Sequence, residues 1–220
     1  MRNSLNLGRI LGIQIRIDYS WFIIFLLITW SLGSYYFPHY YPGWQSLTYW
    51  IVALLTCLIF FASVLAHELS HSLVSKAHGI PVRDITLFIF GGAAQIISEP
   101  EKPGREFLMA FAGPLVSIVI AIFFRLIVFV MGSPIHPVSA LAYWLSRINL
   151  ILAIFNLVPG FPLDGGRILR AIVWKMTGNF KKATRLASGA GQFVAFLLIF
   201  FGMFMFFTGR FFNGIWFVFI

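Results

Sequence analysis

Long apolar runs alternate along this chain with short stretches rich in Lys and Arg. A helix that crosses a bilayer needs roughly 20 mostly apolar residues. Five runs meet that length, at 19–37, 47–76, 107–131, 138–158 and 186–207. A sixth opens near Phe211 and continues to Ile220. Ten helical residues rise only about 15 Å, so this last run predicts a partial span and a longer natural protein. The first run is followed by Phe37-Pro38-His39-Tyr40-Tyr41-Pro42 instead of a small-residue cleavage site, and reads as a retained helix.

Two regions break the helical pattern. Ile13, Ile15 and Ile17 alternate with Gln14, Arg16 and Asp18, the period of a half-buried strand. Residues 84–98 form two short apolar runs divided by Gly91-Gly92, the signature of a hairpin. The pattern predicts an all-α polytopic membrane protein, with about six transmembrane helices and a small β-sheet at the cytoplasmic membrane face. The chain reads as a single transmembrane domain over 1–220, with no internal repeat or low-complexity linker.

Composition narrows the class. The 220 residues are 60% hydrophobic, 18% aromatic and 10% charged, with mean hydropathy +0.89. Soluble domains carry about a quarter charged residues, and disordered chains need low hydrophobicity. A single cysteine, Cys57, excludes a disulfide framework. The net charge of +9 could suggest nucleic acid, but in so apolar a chain it is better explained by basic loops beside membrane helices. Three basic residues fall in 1–18, four in 76–106 and six in 159–185, thirteen of the sixteen, whereas 38–50 and 132–137 hold none. This asymmetry predicts a cytoplasmic N-terminus.

The second run contains His67-Glu68-Leu69-Ser70-His71. Ionisable residues inside a membrane cost about 2.5–3.5 kcal/mol each on insertion scales, so three within five positions call for a reason. On a helix His67 and His71 share one face and can converge on one metal ion. Glu68 stands where it can take a proton from water at that metal. The plainer alternative is a histidine pair bonded between helices, with Glu68 lining a polar cavity.

Catalytic zinc takes three protein ligands and keeps one position open. The most polar interruption of the later apolar sequence is Asn156 to Arg167, with Pro159 and Pro162 breaking the fourth span. Asp164 would open a new segment, and Gly165-Gly166 would let another backbone approach closely. A carboxylate there suits zinc, although it could equally cap a helix. His67 lies about 13 Å inside the end of its helix marked by Lys76, and Asp164 falls at a similar depth. The motifs can therefore meet in the cytoplasmic half of the membrane.

At these residues the chain resembles the site-2 protease family of intramembrane zinc metalloproteases. The resemblance rests on the His-Glu-x-x-His motif at 67–71 and the Asn…Pro-x-x-Leu-Asp-Gly motif within 156–167, separated by Gly113-Pro114-Leu115, and covers nearly the whole chain. It implies that His67, His71 and Asp164 bind one zinc ion, that Glu68 activates water, and that Asn156 holds the substrate peptide or its developing oxyanion; as a residue reading, Asn156 could also be a cap near the broken helix. It further implies substrates that are membrane-spanning proteins, cut in or near their membrane segments. An extended substrate could add to an exposed sheet edge, expected at 84–97. The loops at 38–46 and 132–137 are too short for the PDZ domain that some relatives insert. The compact plan looks most like the six-helix branch with cytoplasmic CBS domains after the last helix.

The remaining features read as structural. Arg125 and Arg147 would pair with acids or reach an interface. Cys57 reads as packing, and His39, His78 and His136 as solvated. Tyr35, Tyr36, Tyr40, Tyr41, Trp44 and Trp50 form an interfacial belt. Lys181-Lys182 is a membrane anchor, not a nucleic-acid patch. The competing class is a metal-ion transporter, which predicts several polar sites along a pore; this sequence offers one compact cluster.

Overall fold

The computed structural model of the chain describes residues 4–98, 100–133 and 135–208. The apolar run from Phe211 lies outside the described residues. Among the described residues, five helical stretches are long and apolar enough to cross a membrane: Tyr19–Tyr40, Ser46–Ala77, Pro103–Met131, Pro137–Asn156 and Phe180–Phe207.

The first stretch joins α1 (Tyr19–Ser31), a π-helical turn (Leu32–Tyr36) and α2 (Phe37–Tyr40). It continues through Pro38 to Tyr40, past the run read as 19–37, with this proline in the first turn of α2. At the other end Asp18 caps α1 by accepting from the Ser20 hydroxyl and amide. Those two bonds, the hydroxyl foremost, hold the Asp18 carboxyl below its usual range.

The second stretch is α3 (Ser46–Ala77), whose 32 residues make a rod of about 48 Å. The third is α4 (Pro103–Met131) and the fourth α5 (Pro137–Asn156). An additional helix, α6 (Asp164–Thr177), follows the proline-rich break and precedes α7 (Phe180–Phe207). The helix α7 starts six residues before the apolar run does. Its first turns carry Lys181, Lys182 and Arg185, which hide helix from a hydropathy reading.

Apolar burial drives little association between helices in lipid, where packing and small residues decide instead. The buried faces of α4 and α5 follow that rule. The buried positions of α4 include Ala110, Gly113, Ser117 and Ala121, and those of α5 include Ser139, Ala142, Ser146 and Ala153. Larger side chains fill the space between α1 and α3, where Trp21 packs with Cys57, Phe61 and Val64. Helix α7 leans on α6 and turns most of its surface outward, with Phe193, Phe196 and Phe200 exposed.

Four strands form one sheet in the order β1 (Ser4–Ile10), β2 (Ile13–Asp18), β3 (Val82–Phe88) and β4 (Gly91–Ile96). β1–β2 and β3–β4 are antiparallel hairpins, and β2 runs parallel to β3. The chain between β2 and β3 goes out along α1 and returns along α3, so the sheet sits at one end of the bundle. The isoleucine alternation is borne out: Ile13 and Ile15 are 1% exposed and pack with Ile85 against Leu65, Leu69 and Leu73 of α3. Arg16 and Asp84, 3.1 Å apart, tie the two hairpins together.

One expectation is corrected. Only the second half of 84–97 is a sheet edge. Strand β3 is interior, paired on both sides, and the edges are β4 and β1. The strand β1 was not anticipated, because Leu5, Leu7 and Ile10 face outward and their alternation is interrupted by a bulge between Asn6 and Gly8.

Candidate metal centre

Helix α3 presents His67 and His71 one turn apart, with side chains 3% and 6% exposed. Asp164 arrives from the first turn of α6, which the break after Asn156 swings toward α3. Its Oδ2 lies 3.2 Å from His67 Nε2 and 3.2 Å from His71 Nε2, and those two nitrogens are 3.2 Å apart. Tetrahedral ligands with bonds of about 2.0–2.1 Å stand roughly 3.3 Å from each other. The triangle therefore has the size that a zinc ion requires. Among the described residues it is the one grouping of three His, Cys, Asp or Glu with ligand atoms this close.

The alternative role of Asp164 as a helix cap is not what the structure adopts. Leu163 occupies the N-cap position of α6 and makes no side-chain cap bond. Glycine allows the turn that carries Asp164. A Cβ at Gly165 would strike the carbonyls of Leu157 and Val158, and one at Gly166 would strike the backbone of Gly160.

Helix α4 orients the two imidazoles from behind. His71 Nδ1 donates to the Met109 carbonyl at 2.6 Å, which leaves Nε2 as the lone-pair nitrogen of the neutral ring. His67 Nδ1 is 2.9 Å from Ser117 Oγ. Gly113 lies between these partners on the same face of α4, and a Cβ there would overlap Nε2 of both histidines. Met109, Gly113 and Ser117 are spaced by four, so a small-residue stripe flanked by a hydroxyl was the available signal. The partner helix could not be read from it.

Glu68 is half-buried beside this cluster, within electrostatic reach of His71, Asp164 and Arg167. Strand β4 covers it: a Cβ at Gly92 would strike the Glu68 side chain. Asn156 ends α5, and its amide donates to the Leu152 carbonyl at 3.0 Å. The amide retains a second N–H.

A further polar contact went unanticipated. Arg170 of α6 donates through Nε to Glu106 of α4 at 2.6 Å, and its guanidinium lies over the rings of Phe161 and Phe180. Glu106 is fully buried. The pair fastens the helix carrying Asp164 to the helix carrying Gly113. The other histidines have local partners: His78 bonds the Val74 carbonyl, His136 accepts from the Val138 amide at the start of α5, and His39 stacks on Tyr35.

The profile of Peptidase family M50 matches residues 55–139 and 132–201, taking in both motifs and the helices that bring them together. The chain belongs to peptidase family M50. Among M50 relatives, the provisionally named zinc metalloprotease sll0528 of Synechocystis is 44% identical over 201 residues, covering 90% of this chain and 52% of that protein. Zinc metalloprotease MJ0392 of Methanocaldococcus jannaschii is 36% identical over 203 residues, 92% of this chain and 55% of that protein. The site-2 protease structure from Methanocaldococcus jannaschii superposes with a TM-score of 0.62 at 32% identity, covering 98% of this chain and 92% of that one. This M50 chain thus shares the helical architecture of a site-2 protease, and spans about half the length of the curated relatives it matches.

Proposed function

We propose that this chain is the membrane-embedded catalytic part of a zinc endopeptidase that hydrolyses peptide bonds in or near the transmembrane segments of membrane-anchored proteins. The observation that carries the reading is the triangle of three ligand atoms formed where α6 meets the span α3, with a carboxylate beside it. One zinc ion per chain would be held by His67, His71 and Asp164, and would supply Lewis acidity toward the scissile carbonyl and toward water.

Glu68 is the general base. Its carboxylate accepts a proton from the attacking water and returns it to the amine as the peptide bond breaks. Asn156 offers its remaining N–H to the carbonyl oxygen as negative charge develops. A helical substrate must unwind first, since its scissile carbonyl is engaged in its own hydrogen bonds. Strand β4 offers the template: a substrate strand added to its edge would lie along the backbone that covers Glu68. Basic-residue asymmetry supports a cytoplasmic N-terminus and a metal centre in the cytoplasmic half of the membrane.

Zinc content of detergent-purified protein tests the reading. Wild type and Glu101→Ala, an exposed acid away from the site, should each hold about one zinc per chain. Asp164→Ala should lose most of it while remaining helical. Retention of zinc by a folded Asp164→Ala protein would remove Asp164 from the site. Several zinc ions per chain would instead favour a transporter.

A further inference from the structure

At the opposite end of the bundle, two arginines share one aromatic ring. The guanidinium carbons of Arg125 on α4 and Arg147 on α5 each lie 5.7 Å from the centroid of Tyr143. Both residues are exposed on the flank of the bundle. Of the two expectations for them, pairing with acids or reaching an interface, the distribution of acidic residues disfavours the first. All seven acidic residues stand at positions 18, 68, 84, 99, 101, 106 and 164. Only Glu106 belongs to α4 or α5, and it lies about 28 Å down the helix from Arg125 in its bond to Arg170. Two like charges held at one ring repel unless an anion joins them, and this part of the chain supplies none.

Position and shape indicate where the anion comes from. Arg125 is twelve residues beyond Gly113, about 18 Å along α4, so the arginines face the leaflet opposite the metal centre. Arg125 also lies about 9 Å below the end of α4 at Met131, close to where headgroups meet hydrocarbon. The side chain of Arg147 leans toward the N-terminus of α5, the same end of the bundle. Arg125, Tyr143 and Arg147 line a groove of about 340 Å³ between the two helices, which extends over Ile118, Ile122 and Leu150. In the antiparallel pair those three apolar residues are nearer the membrane centre than the arginines. The groove is thus cationic on the side toward that leaflet's surface and apolar beneath.

We propose that this groove binds one phospholipid of that leaflet, with its phosphodiester at Arg125 and Arg147 and an acyl chain over Ile118, Ile122 and Leu150. Guanidinium groups suit phosphate oxygens, to which they donate in a fixed fork. Bound this way, the lipid would fill the seam between α4 and α5, and α4 carries the residues that orient His67 and His71.

Native mass spectrometry of the full detergent-purified chain, titrated with phosphatidylglycerol, tests the site. Wild type should retain one lipid per chain, and Arg125→Gln/Arg147→Gln should weaken that retention roughly thirtyfold. Lys181→Gln/Lys182→Gln removes the same charge from the exposed start of α7 and should leave retention unchanged. Arg125→Lys/Arg147→Lys should keep most of the binding. On wild type alone, diacylglycerol with the same chains should not be retained, and excess inorganic phosphate should not displace phosphatidylglycerol. These last arms decide the matter even if the glutamine variant fails to fold. Equal loss in the two glutamine variants, retention of diacylglycerol, displacement by inorganic phosphate, or a dimer that the arginine variant abolishes would each overturn the proposal. None of these readouts depends on protease activity.

Discussion

Two buried polar constellations join α6 to the rest of this bundle, and they differ in one respect that separates function from architecture. Glu106 and Arg170 carry opposite charges, bond each other at 2.6 Å, and close the guanidinium between two aromatic rings. Their charges cancel within the pair. His67, His71 and Asp164 also lie within 3.2 Å of one another, but what they turn toward one another is two imidazole Nε2 atoms and a carboxylate oxygen. In the proposed function a cation at its centre compensates that convergence. Buried polar residues that neutralise each other hold helices together, whereas those that all offer electron pairs to one point ask for a metal.

The sharpest way to separate the two is Glu68→Gln. It should lower cleavage of a membrane-anchored reporter by about 10²–10⁴-fold, the usual worth of a general base, while zinc content and thermal stability stay at wild-type values. Glu106→Leu should do the opposite. Leaving Arg170 without its carboxylate should cost about 3–5 kcal/mol, read as a lower melting temperature in detergent, and adding Arg170→Met should recover most of it. If Glu106→Leu stripped the metal while the melting temperature held, the pair would belong to the metal centre and the distinction would collapse.

Two smaller effects probe how α4 serves the histidines. Gly113→Ala places a methyl against both Nε2 atoms and should weaken zinc binding by about 10–100-fold, the scale seen when support behind metal ligands is disturbed. A competitive chelator titration would read this. Ser117→Ala removes one bond to His67 and should weaken binding by about tenfold, with His71 still held by a backbone carbonyl. Equal zinc affinity for Ser117→Ala and wild type would mean that packing alone orients His67.

Much of this was legible beforehand because membranes enforce simple patterns. The spans at 47–76 and 107–131 lie inside α3 and α4 with small errors at the ends, since apolar length is what a bilayer selects. The pairing of His67 with His71 followed from helical spacing, and the broken fourth span from Pro159 and Pro162. The misses share a cause. Strand β1 shows its apolar side chains to the outside, the first turns of α7 are too charged for a hydropathy reading, and Arg170 looked like one more cytoplasmic cation. In each case the neighbour that explains the residue is distant in sequence.

The sequence by itself determined the membrane class, the placement of the spans and two histidines on one helical face, because these depend on apolar length and a local period of 3.6 residues. Only the tertiary structure decided that Asp164 turns from cap to candidate ligand, that Ser117 and the Met109 carbonyl orient the rings, and that Arg125 and Arg147 gather at one tyrosine. Those outcomes depend on which helices lie side by side and how deeply each is set. Small residues such as Gly113 govern that packing, and their effect is felt across helices instead of along the chain.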